Sequence, residues 1–159
     1  MNFISFQSPL GQISLFADSG GAGEAIVALD WGHGAGADGA HPTPLLKEAS
    51  RQLNAYFAGK LRRFDLPLRP AGTDFQKSVW RLMQEIPFGQ TRTYGDLAGD
   101  LGSAPRAVGG ACGRNPIAII IPCHRIVASG ARIGGFTAVG GKNSKRHLLR
   151  LEGVAGLAA

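Results

Sequence analysis

Short alternating runs of apolar and polar residues open the chain. Asn2–Gln7 and Gln12–Ala17 are separated by Ser8-Pro9-Leu10-Gly11, which has turn composition, so they predict two strands joined by a turn. Ala25–Trp31 predicts a third strand. Residues 20–39 hold seven glycines, and a mobile surface loop is expected around Gly32–Ala40. Leu45, Leu46, Ala49, Leu53, Tyr56 and Phe57 then recur at helical spacing and stop at Gly59, which predicts one amphipathic helix. Arg62–Leu68 reads as a last extended piece, and Pro70-Ala71-Gly72 marks a domain boundary. Residues 1–70 are therefore expected to form a small antiparallel sheet with a helix packed on it, and residues 71–159 a second domain.

Beyond the boundary the pattern turns helical. Thr73-Asp74-Phe75-Gln76 has the form of a capping box, and Phe75, Val79, Leu82, Met83 and Ile86 follow on one face until Pro87-Phe88-Gly89. Thr93 is expected to cap a short helix, Tyr94–Leu101, which Gly102 breaks. Ser103 is expected to cap the next, Ala104–Gly113. Two short helices with a glycine turn match a helix-turn-helix, whose second helix docks on DNA. That second helix is nearly bare: Ala104, Ala107, Gly109, Gly110 and Ala111 leave Arg106 as the one long side chain in its first turns. Such a surface lets a backbone approach DNA closely, or packs against another helix; the pattern alone allows both. The last amphipathic helix is read as Lys145–Glu152, capped by Ser144 and stopped by Gly153.

Composition narrows the class. At 159 residues, 44% hydrophobic and 18% charged, the chain has the make-up of a globular protein with a real core. Its longest aliphatic run, Ile117–Ile121, falls far short of the ~20 apolar residues that span a bilayer. No secretory signal is visible at Met1–Ser5, and two cysteines offer no disulfide framework, so a reducing, cytoplasmic compartment is expected. His33 and His41 read as solvated loop histidines, and the spacing of a zinc site is missing. The charge is unevenly placed. Residues 1–70 carry six basic and six acidic side chains, residues 71–159 eleven and five, so the whole net +6 lies in the second part. A polyanion partner fits this asymmetry, as does a merely solvated basic surface.

The chemistry concentrates in Ile117–Val127, where an apolar run delivers Cys123 beside His124 and Arg125. A thiol among cations is expected to ionise more easily than a free one, and the thiolate is the nucleophile. Adjacent residues on an extended strand point to opposite sides, so either the chain turns at Pro122 or a water relays the proton between Cys123 and His124. A carboxylate should orient the imidazole, and Glu152 is the best placed. Gly135–Asn143 resembles a phosphate loop but carries Gly141 and Asn143 where Lys and Ser or Thr are needed. Cys112 reads as a small core filler.

The block Ile121-Pro122-Cys123-His124-Arg125-Ile126-Val127, with Arg106–Ala111 and Gly113-Arg114-Asn115-Pro116 before it, resembles the active-site region of the O6-alkylguanine-DNA alkyltransferases. The resemblance runs from Phe75 and Trp80, through Pro87-Phe88-Gly89 and Tyr94-Gly95, to Leu148-Leu149 and Glu152-Gly153. It implies an α+β fold: an N-terminal ribonuclease H-like sheet, then a helical winged or helix-turn-helix domain for DNA binding and catalysis. It implies that Cys123 accepts the alkyl group, that His124 acts through a water as its base, and that Glu152 holds His124. Asn115 would brace the turn, and Tyr94 would stabilise or protonate the guanine while crowding the neighbouring phosphate. Arg106 would fill the space of the extruded nucleotide, with Ala104, Ala107 and Gly109 on the DNA-facing helix. Val127, Ser129, Gly134, Gly135, Phe136 and Thr137 would wall the pocket. No metal and no cofactor are implied.

The expected reaction is single-turnover repair of O6-alkylguanine, with O4-alkylthymine a candidate second substrate, by a monomer acting on double-stranded alkylated DNA and on no membrane. Base flipping makes the alkyl carbon reachable, at roughly a few kcal/mol. A binding-only damage sensor and a turnover cysteine hydrolase are the competing classes. The presence of Cys123 argues against the first, and no feature demands the oxyanion hole of the second. The rate is expected to fall as pH drops through the ordinary imidazole range near ~6.5.

Overall fold

In the computed structural model, residues 1–21, 23–32, 42–135 and 141–157 are described. The chain divides into two compact units, Met1–Ala71 and Gly72–Ala159. The expected loop around Gly32–Ala40 falls almost entirely outside the described residues, as do His33 and His41.

The first unit is an antiparallel sheet of β1 (Asn2–Ser8), β2 (Gly11–Gly20) and β3 (Gly23–Trp31), in that order. Its pairing runs from Ser8 opposite Gly11 to Asn2 opposite Ala17, so the tight turn sets the register. Ile13, Leu15 and Ala17 alternate inward on β2 and are fully buried. Between Phe16 and Ala17 the register against β3 shifts by one residue: Phe16 faces Ala28, and Ala17 faces Ile26. That bulge turns Ile26 onto the same face as Leu29, although simple alternation would oppose them. Helix α1 (Pro44–Phe57) covers this face with Leu46, Ala49, Leu53 and Tyr56, all fully buried. Its N-cap is Thr43, whose side chain accepts from the Leu46 amide. The segment Arg62–Leu68 is not a strand. It touches the sheet through a single bridge, Ile26 to Leu68, and Gln52 satisfies Asp65 instead of a ladder.

In the second unit, α2 (Asp74–Gln84) opens on the Thr73–Gln76 capping box. Val79, Trp80 and Met83 form its buried face, and Trp80 Nε1 donates to Ala111 O at 2.9 Å. The turn at Pro87-Phe88-Gly89 leads to β4 (Arg92–Thr93), α3 (Tyr94–Leu101) and α4 (Pro105–Gly113). Thr93 and Asp96 form a second capping box, and the left-handed Gly102 ends α3. The second helix starts one residue later than expected, and Ser103 does not cap it. Ala104, held extended because Pro105 follows, is the N-cap and supplies no side-chain bond. The last helix, α5 (Lys142–Leu151), also departs from expectation. It starts at Gly141, whose φ of 50° and ψ of −122° suit glycine, so Ser144 lies inside the helix, buried, rather than at its cap. Among the described residues no helix is long and apolar enough to cross a membrane.

Candidate active site

The apolar run after α4 is a series of tight turns rather than a strand. Asn115 spans it: Nδ2 donates to Ile121 O at 2.8 Å, and Oδ1 accepts from the Ile117 amide at 3.0 Å. Ile119 sits at φ 74°, where a β-branched residue is strained by about 1–3 kcal/mol, with the Ile120 amide bonded to Ala118 O. Burial of Ile117, Ile119 and Ile121 and the Asn115 brace hold that conformation. Pro122, at φ −81° and ψ 69°, then makes an inverse γ-turn closed by the Cys123 amide on Ile121 O at 2.8 Å. The chain therefore turns at Pro122, and Cys123–Arg125 forms one 3-10 turn. The opposite-faces argument for an extended strand does not apply.

A closed charge cluster lies behind this turn. His124 Nε2 is 2.6 Å from Glu152 Oε2, both side chains fully buried. Arg125 binds the same carboxylate through two nitrogens, at 2.9 and 3.0 Å, and donates to Ile86 O at 2.7 Å. The Gly89 amide adds a fourth donor to Glu152 at 3.1 Å. The turn Pro87-Phe88-Gly89 is thus tied to the end of α5, where Glu152 is the C-cap. The expectation that His124 and Arg125 ease the ionisation of Cys123 is not met. Burial pushes the thiol up from its ordinary 9.0, against downward pulls from Asn115 and Lys145. Burial also pushes His124 below its ordinary 6.5, more strongly than Glu152 raises it. At rest the pair is a thiol and a neutral imidazole, and Arg125 is engaged by Glu152.

A two-residue parallel ladder completes the site. β4 pairs with β5 (Ile126–Val127), Arg92 opposite Ile126 and Thr93 opposite Val127. In this parallel register Tyr94, directly after β4, lies level with the residue after Val127, and Cys123 is still near enough for its charge to act on the Tyr94 phenol. Burial, then Cys112 and Cys123, pushes the Tyr94 phenol up to about 12. A Cβ on Gly134 would come within 3.2 Å of Tyr94 Oη, so this position admits no side chain without displacing the phenol. Cys112 is buried, and burial followed by the nearby Cys123 raises it to about 12. Both cysteines are free thiols.

Lys145 escaped the sequence reading. It is fully buried, donates from Nζ to Ile126 O at 2.5 Å and Gly135 O at 3.1 Å, and lies 5.9 Å from the Tyr94 ring centroid. A signal was present. Lys145, Leu148, Leu149 and Glu152 follow i, i+3, i+4, i+7, which puts two charged residues on the apolar stripe of α5.

On α4, Val108, Ala111 and Cys112 face inward, while Ala104, Arg106, Ala107 and Gly110 are exposed and Gly109 is half-buried beside the Tyr94 ring. The bare face is turned to solvent, which removes the reading that it packs against another helix. Of the expected pocket wall, Val127 is buried, Ser129 and Gly135 are exposed, and Phe136 and Thr137 lie outside the described residues.

Comparison with known proteins agrees with this architecture. Residues 74–154 match the family described as 6-O-methylguanine DNA methyltransferase, DNA binding domain, and residues 1–70 match its ribonuclease-like domain. A methylated-DNA–protein-cysteine methyltransferase of Methanosarcina acetivorans is 44% identical over 96% of this chain and 99% of its own. The structure of Mycobacterium tuberculosis OGT in complex with DNA superposes with a TM-score of 0.82 at 41% identity, covering 96% of this chain and 92% of that one. The M. tuberculosis O6-methylguanine methyltransferase gives 0.80 at 39%, covering 99% and 96%. The chain belongs to the 6-O-methylguanine DNA methyltransferase family.

Proposed function

We propose that Cys123 accepts the alkyl group of O6-alkylguanine flipped out of double-stranded DNA, in one irreversible transfer per molecule. The protein is a methylated-DNA–protein-cysteine methyltransferase that repairs DNA by direct reversal. The observation that carries the residue-level reading is the turn at Pro122. It sets a buried thiol next to a histidine held by Glu152, within the unit that exposes the bare α4 face.

The Cys123 proton passes, through a water, to His124, which is neutral and so able to accept it. Glu152 at 2.6 Å then stabilises the imidazolium. The thiolate attacks the alkyl carbon, a C–S bond forms, the C–O6 bond breaks, and its electron pair moves onto the purine. Tyr94 remains a phenol at neutral pH because its pKa is near 12, so it can donate to the guanine as negative charge grows. The product is a thioether, a bond that hydrolysis does not reverse. Arg106 extends from the exposed α4 face and fills the gap left by the flipped nucleotide. The excess of basic over acidic residues in the second part supplies sequence-independent phosphate attraction. The first unit supports the second, and the protein acts as a cytoplasmic monomer without a cofactor; its two free thiols suit a reducing compartment.

Peptide mass spectrometry after mixing with a duplex containing O6-methylguanine tests this reading. One methyl on the Cys123 peptide, saturating at one per protein and absent in Cys123→Ala, is the expected result. Binding without modification indicates a sensor, and repeated lesion loss without modification a turnover enzyme; either outcome overturns the assignment.

A further inference from the structure

Alkyl transfer uses one of two buried thiols and gives the other no task. Cys112 and Cys123 are the two cysteines of the chain, both free, and only 8% and 6% exposed. The segment between them is folded back on itself. The Asn115 amide donates to Cys112 O at 3.2 Å, and Asn115 Nδ2 donates to Ile121 O at 2.8 Å. The Cys123 amide donates to that same Ile121 carbonyl at 2.8 Å, so one asparagine joins the backbone of the first cysteine to that of the second. The side chains turn to a common neighbour. Trp80 Nε1 on Ala111 O pins the end of α4. Cys112 follows Gly109 by three residues on the same helix face, where a Cβ on Gly109 would stand 3.9 Å from Tyr94 Cδ1. The Tyr94 phenol feels the charge of both sulfurs, and Cys112 feels that of Cys123.

We propose that Cys112 is the resolving thiol of a reversible Cys112–Cys123 disulfide, formed when hydrogen peroxide reaches the nucleophile before alkylated DNA does. The inference rests on Cys123 being the alkyl acceptor. Its proton passes through a water to neutral His124, as in transfer. The thiolate attacks one peroxide oxygen: an S–O bond forms, the O–O bond breaks, and the departing hydroxide takes back the proton as water. Cys112 sulfur then attacks the sulfenic sulfur. An S–S bond forms, the S–O bond breaks, and the hydroxyl leaves with the Cys112 proton as a second water. The two thiols together lose two electrons, and one peroxide gains them. Cys112 has no histidine held by a carboxylate beside it, and burial keeps it a thiol by raising it to about 12, so Cys123 is oxidised first. A nucleophile that acts once is lost without repair if it proceeds to sulfinic acid, and a thiol at its side captures the sulfenic acid before that step. Exchange with a small dithiol then restores both sulfurs.

The test treats the full-length protein with hydrogen peroxide, without DNA, and maps its peptides unreduced. Wild type should lose the mass of two hydrogens, yield a linked Cys112–Cys123 peptide, and drop about tenfold or more in methyl transfer from a duplex holding O6-methylguanine. Dithiothreitol should restore the transfer. A disulfide needs Cα atoms about 4.4–6.8 Å apart, so the linked peptide from folded protein also reports how closely the two segments converge. Cys112→Ala should transfer like wild type before treatment. After it, this variant should carry sulfinic acid on Cys123 and stay inactive in dithiothreitol. If the alanine variant fails to fold, Cys112→Ser, which keeps the size, carries the same comparison. Peroxide-treated wild type without the linked peptide, a disulfide between two copies instead, or equal recovery of the Cys112 variants overturns the proposal. An untreated wild-type protein that gains no methyl on Cys123 sinks the transfer reading instead.

Discussion

Glu152 carries more of the second unit than its place at a helix end suggests. It accepts from His124 and twice from Arg125 in buried bonds, and from the half-buried Gly89 amide. Removing it strands a buried guanidinium, so Glu152→Ala should destabilise the protein by about 3–5 kcal/mol in a denaturant titration. A loss within the error of the measurement would show that water reaches the cluster. His124 gives a second residue-level prediction. Because burial depresses its pKa, the imidazole stays neutral below 6.5, and the transfer rate should hold through that value and fall only at more acidic pH. This revises the expectation drawn from an ordinary histidine. Stability follows the same sign: below pH 6.5 the unfolded chain takes up a proton that the folded protein refuses, so stability declines as pH falls from there. Single-turnover rates across an acid series, paired with melting at each pH, separate the two effects.

At the scale of elements, α4 shows how a helix can be poor by propensity and suited to its task. Trp80 Nε1 bonded to Ala111 O ties its inner side to α2, so its outer side need contribute nothing to packing. A Cβ at Gly110 would meet nothing within 4 Å, and the position is exposed. Gly110→Gln should therefore stabilise the free protein by about 0.5–1 kcal/mol, since glycine is a weak helix former. The same change should weaken duplex binding about tenfold or more by keeping the helix out of the groove, as read by fluorescence anisotropy. Equal or tighter DNA binding would mean that this face does not approach DNA. The β4–β5 ladder is the other decisive element. Two residues on each side are too few for a periodicity signal, yet their pairing ties the start of α3, where Tyr94 stands, to the strand that follows the cysteine turn.

For the whole molecule, the buried thiols link folding to alkaline pH. Cys112 moves from 9.0 to about 12 and Tyr94 from 10.0 to about 12, so the folded protein holds protons that the unfolded chain releases. Their contribution is fully present below pH 9 and is lost as pH rises toward 12. Stability should be level near neutrality and decline above about pH 9. In Cys112→Ala that decline should be shallower relative to wild type, measured by urea titration at several pH values. The +6 charge acts at this scale too: duplex affinity should fall steeply with salt, whereas a flat salt response would remove phosphate contacts from the interface.

Strands, capped helices and the helix-turn-helix were legible because each is written locally, in alternation, 3.6-residue spacing, Thr caps and glycine stops. The Pro-Cys-His-Arg block carried the family and its chemistry for the same reason. Where locality ended, expectation failed. Ser103 and Ser144 look like caps, but Pro105 moves the first cap to Ala104, and Gly141, three residues before Ser144, starts the last helix. The thiol's protonation was decided by burial, and the partner of Arg125 by a carboxylate 27 residues on. Lys145 reaches the site only because α5 lies against β5 and the cysteine turn. The sequence by itself determined most of the elements and singled out the candidate nucleophile. Only the tertiary structure decided which charges meet, because a field depends on distance through the fold and not on spacing along the chain.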